Sequence, residues 1–287
     1  MKDHHEALAG GLYVVGTPIG NLEDLGFRAL RVLRSVDWIA AEDTRETRKL
    51  LDHYGISVPL RALHEHSTRA RIEELAESLR AGARGAYVSD AGTPGLCDPG
   101  AALVAACAQA GVPVYPVPGA SALAALLSVA GFEESGFTFH GFFPREKKDR
   151  EAWAVSAEAA GGIQVFYESP HRIREALRFL AERFPSGWLV VGRELTKRFE
   201  TLYRGTCAEL AERLDAEEPR GEYAIALALP PAAAPPAGLS GEDLRELVKE
   251  LALLGAPQKA LLKVGMSHGL RKNDAYKLSL EFLEKDG

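Results

Sequence analysis

The chain has little cysteine, no excess of positive charge and no long apolar run, and each shortage excludes something. Its three cysteines, Cys97, Cys107 and Cys207, have no close spacing and no zinc-ligand pattern. Isolated thiols in apolar stretches fit small core residues in a reducing cytoplasm. The longest apolar stretches, near Ala101–Ala108 and Ala122–Ala130, are about half a bilayer span. The opening residues, Met1-Lys2-Asp3-His4-His5-Glu6, show no basic-then-apolar leader. The expectation is a cytoplasmic, soluble protein without a membrane partner. With 34 basic against 40 acidic side chains the net charge is −6, which excludes a globally basic nucleic-acid coat but not a local nucleic-acid surface. Neither G-x-G-x-x-G nor a P-loop lysine occurs, which weighs against a nicotinamide dehydrogenase.

What is present is an ordinary globular composition, 46% apolar and 26% charged, over 287 residues. That length suits about two domains. Short β-rich runs alternate with amphipathic ones, the pattern of an α/β architecture. Strands are expected at Leu12–Gly16, Trp38–Ala41, Ala86–Ser89 and Val112–Val117, with helices at Gly26–Val36, Thr44–His53, Thr68–Ala81 and Pro99–Ala110. The strands are continuous apolar runs, as in a parallel sheet covered on both faces. In the second half Phe137–Phe143, Ile163–Glu168, Trp188–Arg193, Thr201–Gly205 and Tyr223–Leu229 read as strands of a mixed sheet. The boundaries predicted are therefore 1–118 and 119–230 for two α/β/α domains, then a Pro/Ala linker at 231–238 and a helical extension at 239–287. The last fifty residues hold eight basic and eight acidic groups, too few for a third catalytic domain. Their helices read either as a helix-turn-helix or as a tail packed on the rest of the protein.

The informative segments lie at strand ends. Gly16-Thr17-Pro18-Ile19-Gly20-Asn21 is a glycine-rich turn after the first strand, where α/β proteins let ligands approach backbone. In Ala41-Glu42-Asp43-Thr44-Arg45 an acidic residue could hold a ribose hydroxyl, or Asp43 or Thr44 could cap the next helix. Ser89-Asp90-Ala91-Gly92-Thr93-Pro94-Gly95 forms a compact loop, and Pro118-Gly119-Ala120-Ser121-Ala122 begins a helix whose free N–H groups suit an anionic ligand group. Together these loops imply a ligand crevice. His64-Glu65-His66 lacks a third spaced ligand, so no metal site is expected; a loop lining the substrate opening suits it better.

In this order and at these intervals, GTPIGN, AEDTR, SDAGTPG and PGASA resemble the tetrapyrrole-methylase-like superfamily of S-adenosylmethionine-dependent methyltransferases. Phe166-Tyr167-Glu168-Ser169-Pro170-His171-Arg172, Arg193-Glu194-Leu195-Thr196-Lys197 and Gly221-Glu222 are similar, more narrowly, to its ribosomal RNA branch, which methylates a cytidine ribose 2′-hydroxyl of 16S ribosomal RNA. The resemblance covers roughly residues 10–230 and extends to Asn273-Asp274-Ala275-Tyr276, with Cys97 standing where a serine is expected. It implies S-adenosyl-L-methionine bound in the cleft between the domains, a small-subunit RNA partner and a homodimer. It places Pro18, Ser89, Asp90, Ala91, Gly92, Pro94, Gly119, Ser121 and Ala122 at the donor. The substrate side would comprise Asn21, Thr44, Arg45, His64, His66, Tyr167, His171, Arg172 and Arg193. A small-molecule acceptor, a modified protein side chain and a non-catalytic RNA-binding role are the alternatives.

A ribose hydroxyl must be held in line with the methyl group and helped to lose its proton. Glu168 or Lys197, the latter with a lowered pKa, are the preferred candidates for the base, with Asp43, Asp90 and Glu194 as alternatives. Tyr167, Phe142 and Phe143 are candidates to stack on a splayed base. Charge supports this placement. Residues 141–205 hold 12 basic and 9 acidic groups, a surplus of three, whereas residues 1–140 hold 12 and 17 and residues 206–237 hold 2 and 6. The basic groups of that stretch serve either as phosphate contacts or as an internal ion-pair network.

Overall fold

The computed structural model describes residues 7–133, 136–230, 241–253, 256–268 and 270–283. The first sheet comprises β1 (Gly11–Val15), β2 (Trp38–Ala41), β3 (Leu60–Ala62), β4 (Arg84–Val88) and β5 (Val114–Val117) in the order β3-β2-β4-β1-β5. Every pairing in it is parallel. Alternate side chains of each apolar run serve opposite faces. Tyr13, Val15, Ile39, Ala41, Ala86 and Val88 pack with α1 (Phe27–Ser35) and with Leu51 of α2 (Thr44–His53). Leu12, Trp38, Ala40 and Tyr87 pack with α3 (Arg69–Arg80) and α4 (Gly100–Gln109). The expected strands and helices of this half are all present. β3 went unanticipated because it is a three-residue edge strand with no fully buried residue and no alternation to read.

The connection after β1 leads to α1 on one face, and the connection after β4 leads to α4 on the other. β1 and β4 are neighbours, so their carboxyl ends flank the crevice where open parallel sheets take ligands.

The second sheet has the order β6-β7-β10-β8-β9, from β6 (Phe137–Phe142), β7 (Gly162–Glu168), β8 (Trp188–Arg193), β9 (Thr201–Thr206) and β10 (Tyr223–Leu229). Only β6 and β7 run parallel, and the remaining pairs are antiparallel, so the sheet is mixed as expected. α5 (Ala122–Ala130) covers one face through Leu126 and Ala130 against Ile163, Val165, Val190, Ala224 and Ala226. Helix α6 (Lys147–Ala160) begins in this half, and α7 (Ile173–Arg183) and α8 (Cys207–Asp215) complete it, the last held by a capping box between Thr206 and Glu209. Aromatic packing of Phe143 on Trp153 and Phe166, with centroids 5.0 and 4.8 Å apart, fills the core near α6.

Residues 7–154 and 162–229 form one compact unit that contains both sheets, and the expected boundary at 118/119 falls between β5 and α5 within it. Residues 155–161, 230 and the described residues from 241 onward form a second unit. Its helices α9 (Gly241–Leu253), α10 (Gln258–Ser267) and α11 (Lys272–Leu283) meet around Leu244, Val248 and Leu261. The expected Pro/Ala linker at 231–238 lies outside the described residues. No helix among the described residues is long and apolar enough to cross a membrane.

A Cβ at Gly85 in β4 would lie 2.4 Å from the Trp38 ring. Gly85→Ala is therefore expected to destabilise the protein by about 1–3 kcal/mol, read as a lower midpoint in denaturant unfolding.

Candidate active site

The loops after β1, β4 and β5 are fastened to one another by backbone. Gly16 and Gly119 touch so closely that a Cβ on Gly16 would sit 2.7 Å from the Gly119 nitrogen. Thr17 and Gly92 form a two-way bridge, N–H to carbonyl at 2.9 and 3.1 Å. The Thr93 hydroxyl donates to the Ala120 carbonyl at 3.0 Å. Gly92 can turn here because its φ of +81° is open to glycine. Asp98 closes the second loop by accepting from the Gly95 and Gly100 amides and the Tyr87 hydroxyl at 2.5, 2.8 and 2.8 Å.

The second sheet brings its motifs to the same place through register. Tyr223 at the start of β10 pairs with Glu168 at the end of β7 and with Arg193 at the end of β8. Antiparallel pairing thus gathers the FYESPHR, RELTK and Gly221-Glu222 segments at one sheet end. A cavity of about 460 Å³ lies where they meet the three loops. Ser89, Asp90, Ala91, Gly92, Ser121, Ala122, Tyr167 and Glu168 line it, as expected of cleft residues. Pro18, Pro94 and Gly119 belong to the loops but not to the cavity wall. Its apolar surface comes from Ile19, Leu96, Leu195, Tyr223 and Ala224, which were not anticipated. Ser121 precedes α5 without a side-chain cap and the first turn carries no acidic residue, so this helix start, whose Ser121 and Ala122 line the cavity, is a suitable place for an anionic group. Tyr167 buttresses that turn by accepting from the Leu123 amide at 3.1 Å, and burial pushes its phenol pKa up.

A second cavity, of about 370 Å³, adjoins the first through shared walls at Glu42, Cys97 and Asp98. His64 lines it together with Glu65 and Ser67, whereas His66 does not and pairs instead with Glu65 at 3.2 Å. Asn21 caps the turn after β1 by accepting from Glu23 at 3.1 Å. Asp43 caps α2 and pairs with Arg45 at 2.6 Å, and these bonds hold its carboxyl down to about 2. Of the roles open to Asp43, capping is the one the structure shows. Thr44 and Arg45 begin α2 outside both cavities.

Several basic residues expected at the substrate are spent internally. Arg172 pairs with buried Glu168 at 2.5 Å and also donates to the Phe143 carbonyl. Arg193 reaches Tyr203 and Glu217, both at 3.4 Å. Lys197 donates to Glu194 at 2.7 Å and Glu222 at 3.0 Å. The lowered lysine pKa expected there is corrected: burial pulls Lys197 down, but the two carboxylates outweigh it and leave the pKa raised. Burial works against ionisation of Glu194 as well, yet Lys197 and the Glu222 amide keep its carboxyl low. The clasp sits on a strained turn, with Glu194 at φ 52° and Thr196 at φ 66°. His171 is exposed and lines neither cavity. Of the stacking candidates, Phe143 is core, while Phe142 is exposed beside the cavity. Exposed Arg145, Lys147, Lys148 and Arg198 make no ion pair among the described residues. The positive balance of residues 141–205 was the signal that could have singled them out.

Glu42, at the end of β2, is the acidic member of AEDTR that reaches both cavities. Burial raises its pKa, and the charges of Asp90, Asp98 and Glu65 add to this, while the Asp90 amide opposes it by donating to the carboxylate.

These features coincide with a family. The pattern described as Tetrapyrrole (Corrin/Porphyrin) Methylases matches residues 11–211, and the chain belongs to this family of methyltransferases. Over 284 residues it is 41% identical to "Ribosomal RNA small subunit methyltransferase I" of Escherichia coli O157:H7, covering 98% of this chain and 99% of that protein. It is 42% identical over 288 residues to the protein of the same name from Neisseria meningitidis serogroup B, covering 99% and 98%. Among solved structures, diphthine synthase is similar with a TM-score of 0.62 at 13% identity, over 76% of this chain and 89% of that one. Uroporphyrin-III C-methyl transferase from Thermus thermophilus, complexed with S-adenyl homocysteine, gives a TM-score of 0.54 at 18% identity, over 76% and 97%. These two likenesses concern the fold.

A raised carboxyl in the folded state means that ionised Glu42 opposes folding. That penalty is absent well below the ordinary value of 4.5 and grows as pH rises through the folded pKa. Glu42→Gln is therefore expected to melt at a higher temperature than the wild type at pH 7, with the difference vanishing in acid.

Proposed function

We propose that this chain transfers a methyl group from S-adenosylmethionine to the 2′-hydroxyl of a cytidine ribose in 16S ribosomal RNA, acting in the cytoplasm as a homodimer on the small ribosomal subunit. The observation that carries the reading is the pair of adjoining cavities, one suited to the donor and one to the acceptor, at the meeting point of all the motifs.

The larger cavity fits the donor in three respects. Its volume is in the range of small-molecule sites. Ile19, Leu195, Tyr223 and Ala224 offer apolar surface for an adenine, and the uncapped first turn of α5 suits a carboxylate. Ser89, Asp90, Ala91 and Gly92 approach with backbone, and Pro18, Pro94 and Gly119 hold the loops in shape. When bound, the donor supplies an electrophilic methyl on a positively charged sulfur. The chain's own contribution is to seat the acceptor oxygen in line with that carbon, exclude water and deal with the hydroxyl proton.

The acceptor would enter from the second cavity past His64, whereas Thr44, Arg45, Asn21, His66 and His171 would meet it only outside the two cavities. Phe142 offers an exposed ring for an unstacked base. Arg145, Lys147, Lys148 and Arg198 supply unpaired positive charge for phosphates, which position a strand without reading its sequence. Arg172 and Arg193 support the site by bracing Glu168 and the end of β8.

Incubation of small-subunit RNA with enzyme and labelled donor is expected to place label on a cytidine ribose; label confined to a base, or absent, overturns the reading. A side chain at Gly92 would meet Ile19 at 3.2 Å on a backbone at φ +81°. Gly92→Val is expected to weaken S-adenosylhomocysteine binding by calorimetry about tenfold or more while the circular dichroism stays native.

A further inference from the structure

We infer that Glu42 is the general base that takes the proton from the attacking hydroxyl. The inference rests on the ribose-methylation reading above and goes beyond it by assigning the proton-transfer step to one side chain.

Five carboxylates line the larger cavity: Glu42, Asp90, Asp98, Glu168 and Glu222. Three of them are already committed to cations or to several donors. Asp98 accepts three bonds, from Gly95, Gly100 and Tyr87. Glu168 is buried, bonded to the Ser169 amide at 2.7 Å and paired with Arg172. Glu222 is paired with Lys197. Asp90 holds the Asp43 amide at 2.8 Å, joining the end of β2 to the loop after β4, and lines only the larger cavity. Glu42 accepts from the Asp90 amide and pairs with no cation among the described residues. It is also one of only two carboxylates shared by both cavities, and the other is Asp98. The remaining shared side chain, the thiol of Cys97, is pushed up by burial and by Asp98, so it is a poor proton acceptor at neutral pH.

The other candidates named from sequence, preferred Lys197 and the alternatives Asp43 and Glu194, fit this role less well. Lys197 is held protonated by two carboxylates. Asp43 is held ionised by Arg45 and is therefore a weak base. Glu194 is bonded to Lys197 and to the Glu222 amide. His64, Cys97 and the Tyr87 hydroxyl lie near Glu42, and the charges that act on its pKa are Asp90 after β4, Asp98 before α4 and Glu65 after β3. These charged groups are all acidic, and they shift it in the direction that makes a carboxylate a better base.

The step balances. The hydroxyl oxygen forms its bond to the methyl carbon as the carbon–sulfur bond breaks, with that electron pair passing to sulfur. The oxygen's proton passes to the Glu42 carboxylate and from there to water. The positive charge on sulfur and the negative charge on Glu42 are lost together, so no net charge develops in the cleft.

The test compares the wild type, Glu42→Gln and Glu42→Asp by single-turnover methylation of small-subunit RNA across pH. Calorimetry with S-adenosylhomocysteine and thermal melting are run on the same samples. Glu42→Gln is expected to lose about 10²-fold or more in rate with donor-product affinity unchanged and the fold intact. Glu42→Asp should recover part of the loss. In the wild type the rate should fall in acid with a break above 4.5, and that break should be missing in Glu42→Gln. A Glu42→Gln enzyme at the wild-type rate overturns the inference and leaves the ribose reading standing. A rate loss matched by an equal loss of donor-product affinity also overturns it, by assigning Glu42 to binding. A wild type that puts no methyl on ribose overturns the reading itself, and the inference falls with it.

Discussion

Two backbones meet without intervening side chains at Gly16 and Gly119, and the rest of the cleft depends on that contact. β1 and β5 are adjacent, and Gly16 donates to the Val117 carbonyl at 3.0 Å as the strands end. Beyond this point any Cβ would force the loops apart, since on either glycine it would lie less than 3 Å from the other's backbone. Close approach lets the loop after β1 lie against the start of α5, and the Thr17–Gly92 bridge then ties in the loop after β4. The result is a rigid rim of backbone amides and carbonyls at the switch point of a parallel sheet. Such a rim holds a ligand with little ordering left to do on binding.

The second sheet supplies the opposite wall by a different principle. Its motifs are far apart in the chain, and antiparallel register collects them because strand ends of opposite direction coincide. Charge then fixes the turns in place. Lys197 lies over Gly20 where a Cβ would collide with it, and Glu194 fills the space that Gly221 leaves open. Two residues with positive φ in that turn are tolerated because hydrogen bonds on both sides determine it. Much of the positive charge in this half is thus structural, and the charge without an ion pair among the described residues lies on exposed groups such as Lys147 and Lys148.

Most of the fold was legible in the sequence. Runs such as Trp38–Ala41 and Tyr223–Leu229 are apolar throughout, bounded by polar or glycine-rich turns, and long enough to show their period. Helix ends were visible where a capping residue stood, as at Asp43 and Thr68. Leu60–Ala62 escaped because a short edge strand carries too few residues to show a pattern. Within the site, the glycine-rich loops announced themselves, since glycine and proline at strand ends have few other uses. Ile19, Leu195 and Tyr223 did not, because an apolar residue lining a cavity looks the same in sequence as one in the core.

Composition, periodicity and loop chemistry alone determined an α/β protein with a parallel first sheet, a mixed second sheet and a ligand crevice at the strand ends. These follow from local preferences that act within a few residues. Which charged groups are free and which are paired was decided by tertiary structure. Arg172, Arg193 and Lys197 were open to RNA or to an internal network until the fold paired them, Arg172 and Lys197 with Glu168 and Glu194 close by in the chain, Arg193 and Lys197 with Glu217 and Glu222 far along it, while Glu42 stood unremarked between two more conspicuous neighbours. An ionisable group takes its character from whatever the fold places within a few ångströms, and that neighbourhood cannot be read along the chain.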